Sequence, residues 1–302
     1  MDQSNVKEIK SGMVALIGPP NVGKSTLLNQ LLGQKISIVS PKPQTTRNRI
    51  LGIVNEPDYQ IVLLDTPGIH RAKSALNRSM VRIALESLAE VDVIVFMVDV
   101  TFPLPSKKEE AEATRYLKES TTPALLVLNK IDLVPPEKLL PMLEAYRTLH
   151  PFHALLPLSA LAGDGTALLI KEILALLPTG PRLYPEDIPT DATERFIVGE
   201  IIREKIFLRT GQEIPYSTAV TVDSFKEDEE RQLVTIHATI FVEKKSQKGI
   251  LIGKQGQKLR EIGKAARLDI EALLDQKVML NLWVKVRENW TKDDRFLQEI
   301  GF

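Results

Sequence analysis

The sequence predicts an α/β domain with a mixed, mostly parallel sheet, followed by a smaller α+β domain. Short apolar runs alternate with helical patterns from residue 13 to about residue 177, a proline-rich stretch follows, and the order of elements then changes. With 302 residues the chain is also longer than one hydrophobic core usually serves, which favours two domains.

Apolar runs mark the strands of the first domain, which we place at residues 13–177 after an N-terminal extension at residues 1–12. Their alternation with helical patterns is typical of a parallel sheet covered by helices. The runs at residues 50–55 and 59–65 are separated by only three residues, too few for a helical crossover, so an antiparallel hairpin is expected there. The other runs lie at residues 14–18, 93–99, 124–129 and 154–160.

Residues 178–190 contain four prolines and are expected to form a semi-rigid linker to the second domain at residues 191–302. Asp191 to Glu194 fits a capping box that begins a helix through about Thr210. Two β-rich runs joined by an acidic turn follow, then a helix broken by glycines and a last strand at residues 278–286. The order α-β-β-α-α-β predicts a small α+β domain.

The composition restricts the setting and the chemistry. The chain has no cysteine, which excludes disulfides, thiolate metal ligands and a cysteine nucleophile. It has no apolar run of the 18 residues needed to span a bilayer and no signal peptide, so we expect a cytoplasmic protein that is neither membrane-integral nor exported. Basic and acidic residues balance at 39 each, so any polyanion-binding surface must come from local asymmetry.

A phosphate-binding loop is predicted between the first strand and the first helix. Residues 18–25 read Gly-Pro-Pro-Asn-Val-Gly-Lys-Ser and match G-x-x-x-x-G-K-[ST] in the context that this motif requires. Backbone N–H groups there meet phosphate oxygens, Lys24 adds a positive charge, and the Ser25 hydroxyl ligates Mg²⁺. The nucleotide-binding candidates are Gly18, Pro19, Pro20, Asn21, Val22, Gly23, Lys24, Ser25 and Thr26.

Two further motifs complete the predicted phosphate and Mg²⁺ site. Asp65-Thr66-Pro67-Gly68, followed by Ile69, ends the second hairpin strand, where a carboxylate can hold the Mg²⁺ water shell and a glycine amide can meet a γ-phosphate. In Thr45-Thr46-Arg47, within the polar segment 35–49, we select Thr46 as the hydroxyl that completes Mg²⁺ coordination. The predicted Mg²⁺ ligands are therefore Ser25, Thr46 and Asp65, and the predicted catalytic residues are Lys24, Thr46 and Gly68.

Guanine selectivity is predicted after the next two strands. In Asn129-Lys130-Ile131-Asp132 the Asp132 carboxylate can accept hydrogen bonds from guanine N1–H and the 2-amino group, a pattern that adenine lacks. Ser159 and Ala160 are expected to place backbone groups against guanine O6.

The second domain contains the local charge asymmetry. Between residues 244 and 267 eight basic residues face one acidic residue, Glu261, which gives a net charge of 8 − 1 = +7. Such density indicates a phosphate-backbone contact, and a Gly-x-x-Gly turn lets RNA approach closely, while residues 250–252 are expected to form an apolar groove wall. The RNA-binding candidates are Lys244, Lys245, Lys248, Ile252, Gly253, Lys254, Gln255, Gly256, Lys258 and Arg260.

These motifs carry a family resemblance. Residues 18–25, 45–47, 65–68, 129–132 and 159–161, in this order, resemble the translation-factor-related GTPases, and Gly253 to Gly256 resembles the turn of a type II KH domain. The pairing resembles the Era GTPase family. The resemblance implies binding of GTP with Mg²⁺, binding of 16S ribosomal RNA near its 3′ end, and maturation of the small ribosomal subunit. We expect a monomer that does not bind DNA, and the resemblance leaves peripheral membrane association open.

The sequence also bears on rate and on competing functions. Ile69 stands where many small GTPases carry a water-orienting glutamine, so hydrolysis is expected to be slow, on the order of 10⁻⁴ to 10⁻² per second. Asn21 resembles the asparagine with which related GTPases bind K⁺. Because it has no cysteine, the chain does not fit the tRNA-modification GTPases, which use a C-terminal cysteine. A constitutive RNA-binding factor with a structural nucleotide remains the alternative to a switch.

Overall fold

The computed structural model describes residues 8–68, 75–102, 117, 120–211 and 213–301. These residues form two compact units. With those gaps, the first unit contains residues 8–37, 46–68 and 77–191, and the second contains residues 38–45, 75–76 and 192–301.

The first unit is built on a sheet of seven described strands. They are β1 (Ile9–Ile17), β2 (Ile50–Glu56), β3 (Tyr59–Asp65), β4 (Val93–Asp99), β5 (Ala124–Asn129), β6 (Ala154–Leu158) and β7 (Thr179–Gly180). The order is β2-β3-β1-β4-β5-β6, and β7 pairs with β1. Strand β2 is antiparallel to β3 and β7 to β1, whereas the other pairs are parallel. This confirms the mixed, mostly parallel sheet and the hairpin at its edge.

The apolar runs form strands because they are buried on both sides of the sheet. Every residue of β4 and β5 is buried, as expected for central parallel strands between two layers of helices. The helices that follow β1, β3, β5 and β6 are α1 (Lys24–Leu32), α2 (Ala75–Glu86), α3 (Leu139–Arg147) and α4 (Thr166–Leu176).

The predicted linker is held along the β2–β3 hairpin in this unit. The Gln60 side chain is fully buried, and its Oε1 accepts hydrogen bonds from the N–H groups of Leu183 at 2.7 Å and Tyr184 at 3.0 Å. The Ile53 N–H donates to the Pro189 carbonyl at 2.8 Å, and the Thr190 hydroxyl donates to the Leu51 carbonyl at 2.6 Å. The prolines restrict the backbone of this segment, which reduces the entropy lost when it is held against the hairpin.

The second unit has the predicted order of elements. Its elements are α5 (Glu194–Arg209), β8 (Thr218–Asp228), β9 (Leu233–Val242), α6 (Lys245–Ile252), α7 (Gln257–Leu274), β10 (Lys277–Val286) and α8 (Asp294–Glu299). In the sheet order β10-β9-β8, β8 is antiparallel and β10 parallel to the central β9. Among the described helices, none is both long and apolar enough to cross a bilayer.

Two features of this unit differ from the sequence prediction. Helix α5 is capped by Thr193, whose hydroxyl accepts from the Phe196 N–H at 3.3 Å, and not by Asp191. Asp191 does not cap the helix because the helix begins only at Glu194, directly after Thr193, while the preceding Thr190 is bonded to the hairpin. The short α8 was not predicted; its Phe296 packs edge-on against Phe241, with ring centroids 5.1 Å apart.

Candidate functional site

The predicted phosphate loop joins the end of β1 to the start of α1. Gly23, which precedes the helix, has φ 102°, and an added Cβ there would lie 2.2 Å from the Asn129 side-chain nitrogen, so only glycine fits. No side chain caps α1, which leaves its first N–H groups for an anion. Within the loop Pro19, Pro20 and Asn21 are partly exposed and Val22 is buried; Thr26 lies half-buried in the first turn of α1.

Lys24 is buried at the floor of this loop with 6% of its surface exposed. Its ammonium donates to the carbonyls of Gly18 at 3.2 Å and Pro19 at 3.0 Å. Burial lowers the pKa of Lys24 to about 8, although the nearby charge of Asp65 acts in the opposite direction. A negatively charged ligand would therefore raise this pKa again and hold the lysine in its charged form.

Hydroxyl groups converge on the Asp65 carboxylate at the end of β3. Asp65 Oδ2 accepts from Ser25 Oγ at 2.6 Å, Ser37 Oγ at 2.8 Å and Thr46 Oγ1 at 3.4 Å, and the Ser25 and Thr46 hydroxyls lie 2.8 Å apart. The structure thus brings the three predicted Mg²⁺ ligands together and adds Ser37, which the sequence did not distinguish from other residues of its polar segment.

The second oxygen of Asp65 is buried without a hydrogen-bond partner. Burial raises the pKa of Asp65, and the hydrogen bonds from Ser25, Ser37 and Thr46 and the charge of Lys24 partly oppose this shift. A buried, unsatisfied carboxylate oxygen beside two hydroxyls is a donor set that suits Mg²⁺, which prefers oxygen ligands.

The rest of the Asp65–Gly68 motif is anchored to the phosphate loop and to β1. The buried Thr66 hydroxyl donates to the Leu16 carbonyl at 2.9 Å. Pro67, which follows Thr66, is buried. Gly68 packs so closely on Pro20 that a Cβ added to the glycine would lie 2.8 Å from the Cα of Pro20. Ile69 lies outside the described residues.

Asn129 connects three of the predicted nucleotide-binding loops. Its side-chain Nδ2 donates to the Val22 carbonyl at 2.7 Å, and its Oδ1 accepts from the Ala160 N–H at 2.9 Å. Because Asn129 is 2% exposed, both partners are shielded from water and the loops are fixed relative to one another. The Ala160 N–H is thus engaged by Asn129, so Ala160 contributes to the arrangement of the loops.

The neighbouring residues differ in exposure. Lys130 has a positive φ of 70° and forms an ion pair with Asp99 at the end of β4, a residue that the sequence analysis did not select. Asp132 lies in a short 3-10 turn with its side chain exposed, as a base-recognising carboxylate requires. The Ser159 hydroxyl is buried and accepts from the Ala162 N–H at 3.2 Å.

Residues 38–45, immediately before Thr46, group with the second unit and bond to helix α5. The Val39 N–H donates to Glu204 Oε1 at 3.0 Å. The Lys42 ammonium donates to the carbonyls of Phe207 and Thr210 at the end of the helix, and Arg203 donates to the Thr45 carbonyl. Cations near the carboxyl end of a helix are favourable, so this segment is held by several charged contacts.

The Gly-x-x-Gly turn connects α6 and α7 in the second unit. Gly253 has φ 71° and ψ 179°, a combination that is open essentially to glycine alone, and an added Cβ would lie 2.6 Å from Lys258 Cβ. Gly256 is left-handed with φ 76° and has open space around it. Lys254 and Gln255 between them are exposed, and Gln255 also has a positive φ of 51°. The backbone of this turn is therefore accessible to a ligand.

The other predicted RNA-binding residues surround this turn. Lys244, Lys245 and Arg260 are exposed, and Lys248, Ile252 and Lys258 are partly exposed. The expected apolar wall at residues 250–252 is incorrect in one position, because Leu251 is fully buried in the core of the unit. Helical periodicity points Leu251 inward while Ile250, 56% exposed, points outward.

A groove of about 550 Å³ lies between α7 and β10, next to the turn. Arg260, Lys264 and Arg267 supply positive charge on its helix side, and Met279, Leu280 and Leu282 form an apolar strand side. The sequence analysis missed the strand side, since only the parallel pairing of β10 with β9 places this strand beside the helix. A basic, apolar-floored groove next to a Gly-x-x-Gly turn suits single-stranded RNA.

Comparison with known proteins finds relatives of both units. Residues 13–130 match the family described as 50S ribosome-binding GTPase, and residues 213–291 match the KH domain family. A protein named GTPase Era from Syntrophus aciditrophicus is 53% identical over 293 residues, covering 97% of this chain and 95% of that protein. GTPase Era of Ruminiclostridium cellulolyticum is 48% identical over 293 residues, covering 97% of each chain.

Two solved structures are similar over nearly the whole chain. Each has a TM-score of 0.93 and 43% sequence identity, and the matched region covers 97% of this chain and 99% of the chain in the solved structure. One is an Aquifex aeolicus Era variant bound to GDP and AlF4⁻, and the other is Era in complex with MgGDPNP and nucleotides 1506–1542 of 16S ribosomal RNA. With its phosphate, Mg²⁺ and guanine motifs in one unit and a KH fold in the other, this chain belongs to the Era family of GTPases.

Proposed function

We propose that this GTPase is a slow, nucleotide-controlled switch that binds 16S ribosomal RNA near its 3′ end and assists assembly of the small ribosomal subunit in the cytoplasm. The observation that carries the proposal is the occurrence of the oxygen cluster around Asp65 and the groove beside Gly253–Gly256 in one chain. The similar Era structure, which holds both MgGDPNP and a 16S ribosomal RNA segment, supports both halves of the proposal.

Mg²⁺ and guanine nucleotide fit the first of these sites. Ser25, Thr46 and Asp65 would hold the ion, and the unpaired Oδ1 of Asp65 gives it an oxygen that no protein group satisfies. Held by these three residues, Mg²⁺ would supply positive charge against the negative charge that develops in phosphoryl transfer. Lys24 neutralises phosphate charge, the N–H groups at the start of α1 orient the phosphates, and Asp132 selects guanine.

The switch depends on two consecutive residues that bond to different parts of the protein. The Thr46 hydroxyl lies 2.8 Å from Ser25 Oγ in the oxygen cluster, while the Thr45 carbonyl accepts from Arg203 of α5. A γ-phosphate and Mg²⁺ that recruit Thr46 will therefore act on the segment that α5 holds, and α5 belongs to the RNA-binding unit. Such coupling requires that RNA bind the GTP and GDP states with different affinity.

The test is the affinity for a short single-stranded RNA that matches the 3′ end of 16S ribosomal RNA, measured at fixed salt with GDP and with a non-hydrolysable GTP analogue. A difference above about tenfold, or about 1.4 kcal/mol, supports the switch. In Lys42→Ala, which loses the contacts to the end of α5, we expect this difference to shrink while GTP affinity is retained. Tight but equal RNA binding in both states favours the constitutive RNA-binding factor instead.

We also propose that K⁺ assists hydrolysis at Asn21, since Ile69 offers no group to orient the attacking water. Asn21 lies in the phosphate loop with a positive φ of 64° and is partly exposed. The GTPase rate should be higher in KCl than in NaCl at equal ionic strength, and Asn21→Ala should remove the difference. Equal rates in the two salts would contradict a role for K⁺.

A further inference from the structure

Trp283 and Trp290, the two tryptophans of the chain, have opposite environments. Trp290 is fully buried, and its Nε1–H donates to the Ser217 carbonyl at 3.0 Å. Trp283, on the edge strand β10, is 48% exposed. The exposure of Trp283 alone is ordinary for a surface aromatic residue, so its neighbours decide what it can bind.

The Trp283 ring stacks on the ring of His237 in the neighbouring strand β9. The ring centroids are 5.3 Å apart and the planes differ by 11°. His237 therefore supports one face of the indole, while nearly half of the Trp283 surface stays exposed. A rigid aromatic face held in this way is a platform on which another flat ring can stack.

Trp283 belongs to a row of side chains on the outward face of β10. Residues alternate along a strand, and the buried Val278 and Val284 define the inward face. The outward face therefore carries Met279, Asn281, Trp283 and Lys285, which we call the outer strip. The strip combines an amide that can bond to base edges, an aromatic platform and a lysine for a phosphate.

The outer strip is continuous with the groove between α7 and β10. Met279 is part of the strip and also lines the groove, and β10 is at the edge of its sheet, so the two surfaces meet at this strand. A KH groove holds about four nucleotides. A longer RNA strand must leave the groove, and the edge of β10 offers a path.

We propose that the outer strip is a second contact for single-stranded RNA, in which a base outside the groove stacks on Trp283 and a neighbouring phosphate meets Lys285. This inference rests on the proposed binding of RNA in the groove. Charge gives the bound RNA a direction. A cavity near His237 is lined by Glu227 at the end of β8 and by Glu229 and Glu230 of the β8–β9 turn, whereas Lys285 lies at the far end of the strip. The RNA therefore runs from Met279 towards Lys285, away from the acidic turn.

The experiment compares a four-nucleotide and an about twelve-nucleotide single-stranded RNA from the 3′ end of 16S ribosomal RNA, using the full chain with a GTP analogue. Stacking on an aromatic ring is worth about tenfold in affinity. We expect Trp283→Ala to weaken the long RNA by about tenfold and the short RNA by less than twofold, and Trp283→Phe to retain most of the affinity. The long RNA should quench tryptophan fluorescence in the wild type but not in Trp283→Phe, because Trp290 is shielded.

Two lysines on the same face of β10 provide a matched pair. Lys285→Ala should weaken the long RNA and lower the salt dependence of its affinity, whereas Lys277→Ala should have little effect because Lys277 lies among Glu227, Glu229 and Glu271 at the acidic end.

Three outcomes would overturn the inference. The first is that Trp283→Ala binds the long RNA as tightly as the wild type does and that the RNA does not quench wild-type fluorescence. The outer strip would then not contact RNA, and a protein partner would be the better candidate. The second is that Trp283→Ala loses equal affinity for both RNAs, which would mean that Trp283 acts on the groove itself. The third is that Lys285→Ala and Lys277→Ala have equal effects, which would contradict the proposed direction of the RNA along the strip. The binding of RNA in the groove has its own test. If RNA does not bind there, Arg260→Ala will leave the affinity for the short RNA unchanged.

Discussion

The lowered pKa of Lys24 predicts that GTP affinity falls in alkaline solution. In the nucleotide-free protein burial places this pKa at about 8, so the lysine is largely neutral at pH 9. Triphosphate binding favours the charged form and raises the pKa again. The complex therefore holds more protons than the free protein above pH 8, and affinity must decrease as pH rises.

The magnitude follows from the pKa. At pH 7 about nine-tenths of Lys24 is protonated and at pH 9 about one-tenth, so GTP affinity should fall about tenfold, or about 1.4 kcal/mol, between these values. Calorimetry at pH 9 in buffers of different ionisation enthalpy should show uptake of about 0.9 proton per GTP.

Lys24→Arg is the matched control, because a guanidinium stays protonated throughout this range. Both proteins share any titration of the guanine base and of the triphosphate, so the difference between their pH profiles isolates Lys24. Proton uptake below about 0.2 per GTP, or identical profiles for the two proteins, would refute a lysine that loses its charge on burial.

Three further predictions follow. Asn129→Ala leaves the Val22 carbonyl and the Ala160 N–H unpaired, so urea unfolding should show a loss of about 2 to 5 kcal/mol together with weaker GDP binding, and a loss under 0.5 kcal/mol would contradict the connecting role. Gly253→Ala should cost about 3 kcal/mol and most RNA affinity while Gly256→Ala costs about 1 kcal/mol, because only the first meets Lys258, and equal effects would contradict this geometry. Thr46→Ala should weaken a GTP analogue at least tenfold and GDP less than twofold, whereas equal losses for both nucleotides would argue against coordination that needs the γ-phosphate.

Most of the fold could be predicted because the strands of the first unit are continuous apolar runs and its motifs have fixed topological positions. The strands at residues 93–99 and 124–129 end where the sequence places them, since a buried central strand is apolar along its whole length. The hairpin followed from a three-residue connection that excludes any helical crossover.

The missed features depend on contacts between distant residues. Ser37 bonds to Asp65 only because Asn29 holds the intervening loop, with its Oδ1 accepting from the N–H groups of Ile36 and Ser37 at 2.9 Å. The apolar side of the RNA groove depends on the pairing of β10 with β9, which carries no local signal. The proline-rich segment was predicted to be a semi-rigid linker from its four prolines. Its hydrogen bonds to Gln60 and Leu51 could not be predicted, because they form only on the folded hairpin.

Lys24 and Asp65 show why this site should bind a nucleotide and Mg²⁺ together. Burial shifts both groups towards their neutral forms, lowering the pKa of Lys24 and raising that of Asp65. Bound phosphates would provide a negative counter-charge for the Lys24 ammonium, and Mg²⁺ would provide a positive counter-charge beside the unpaired Asp65 oxygen. Since Mg²⁺ binding favours the ionised carboxylate, Asp65 should release a proton when the complex forms in acidic solution, opposite in sign to the uptake by Lys24 at pH 9. Calorimetry of Mg²⁺–GTP binding from pH 5 to 9, with Asp65→Asn as the variant that has no proton to release, measures this reversal, and net uptake at every pH would contradict it.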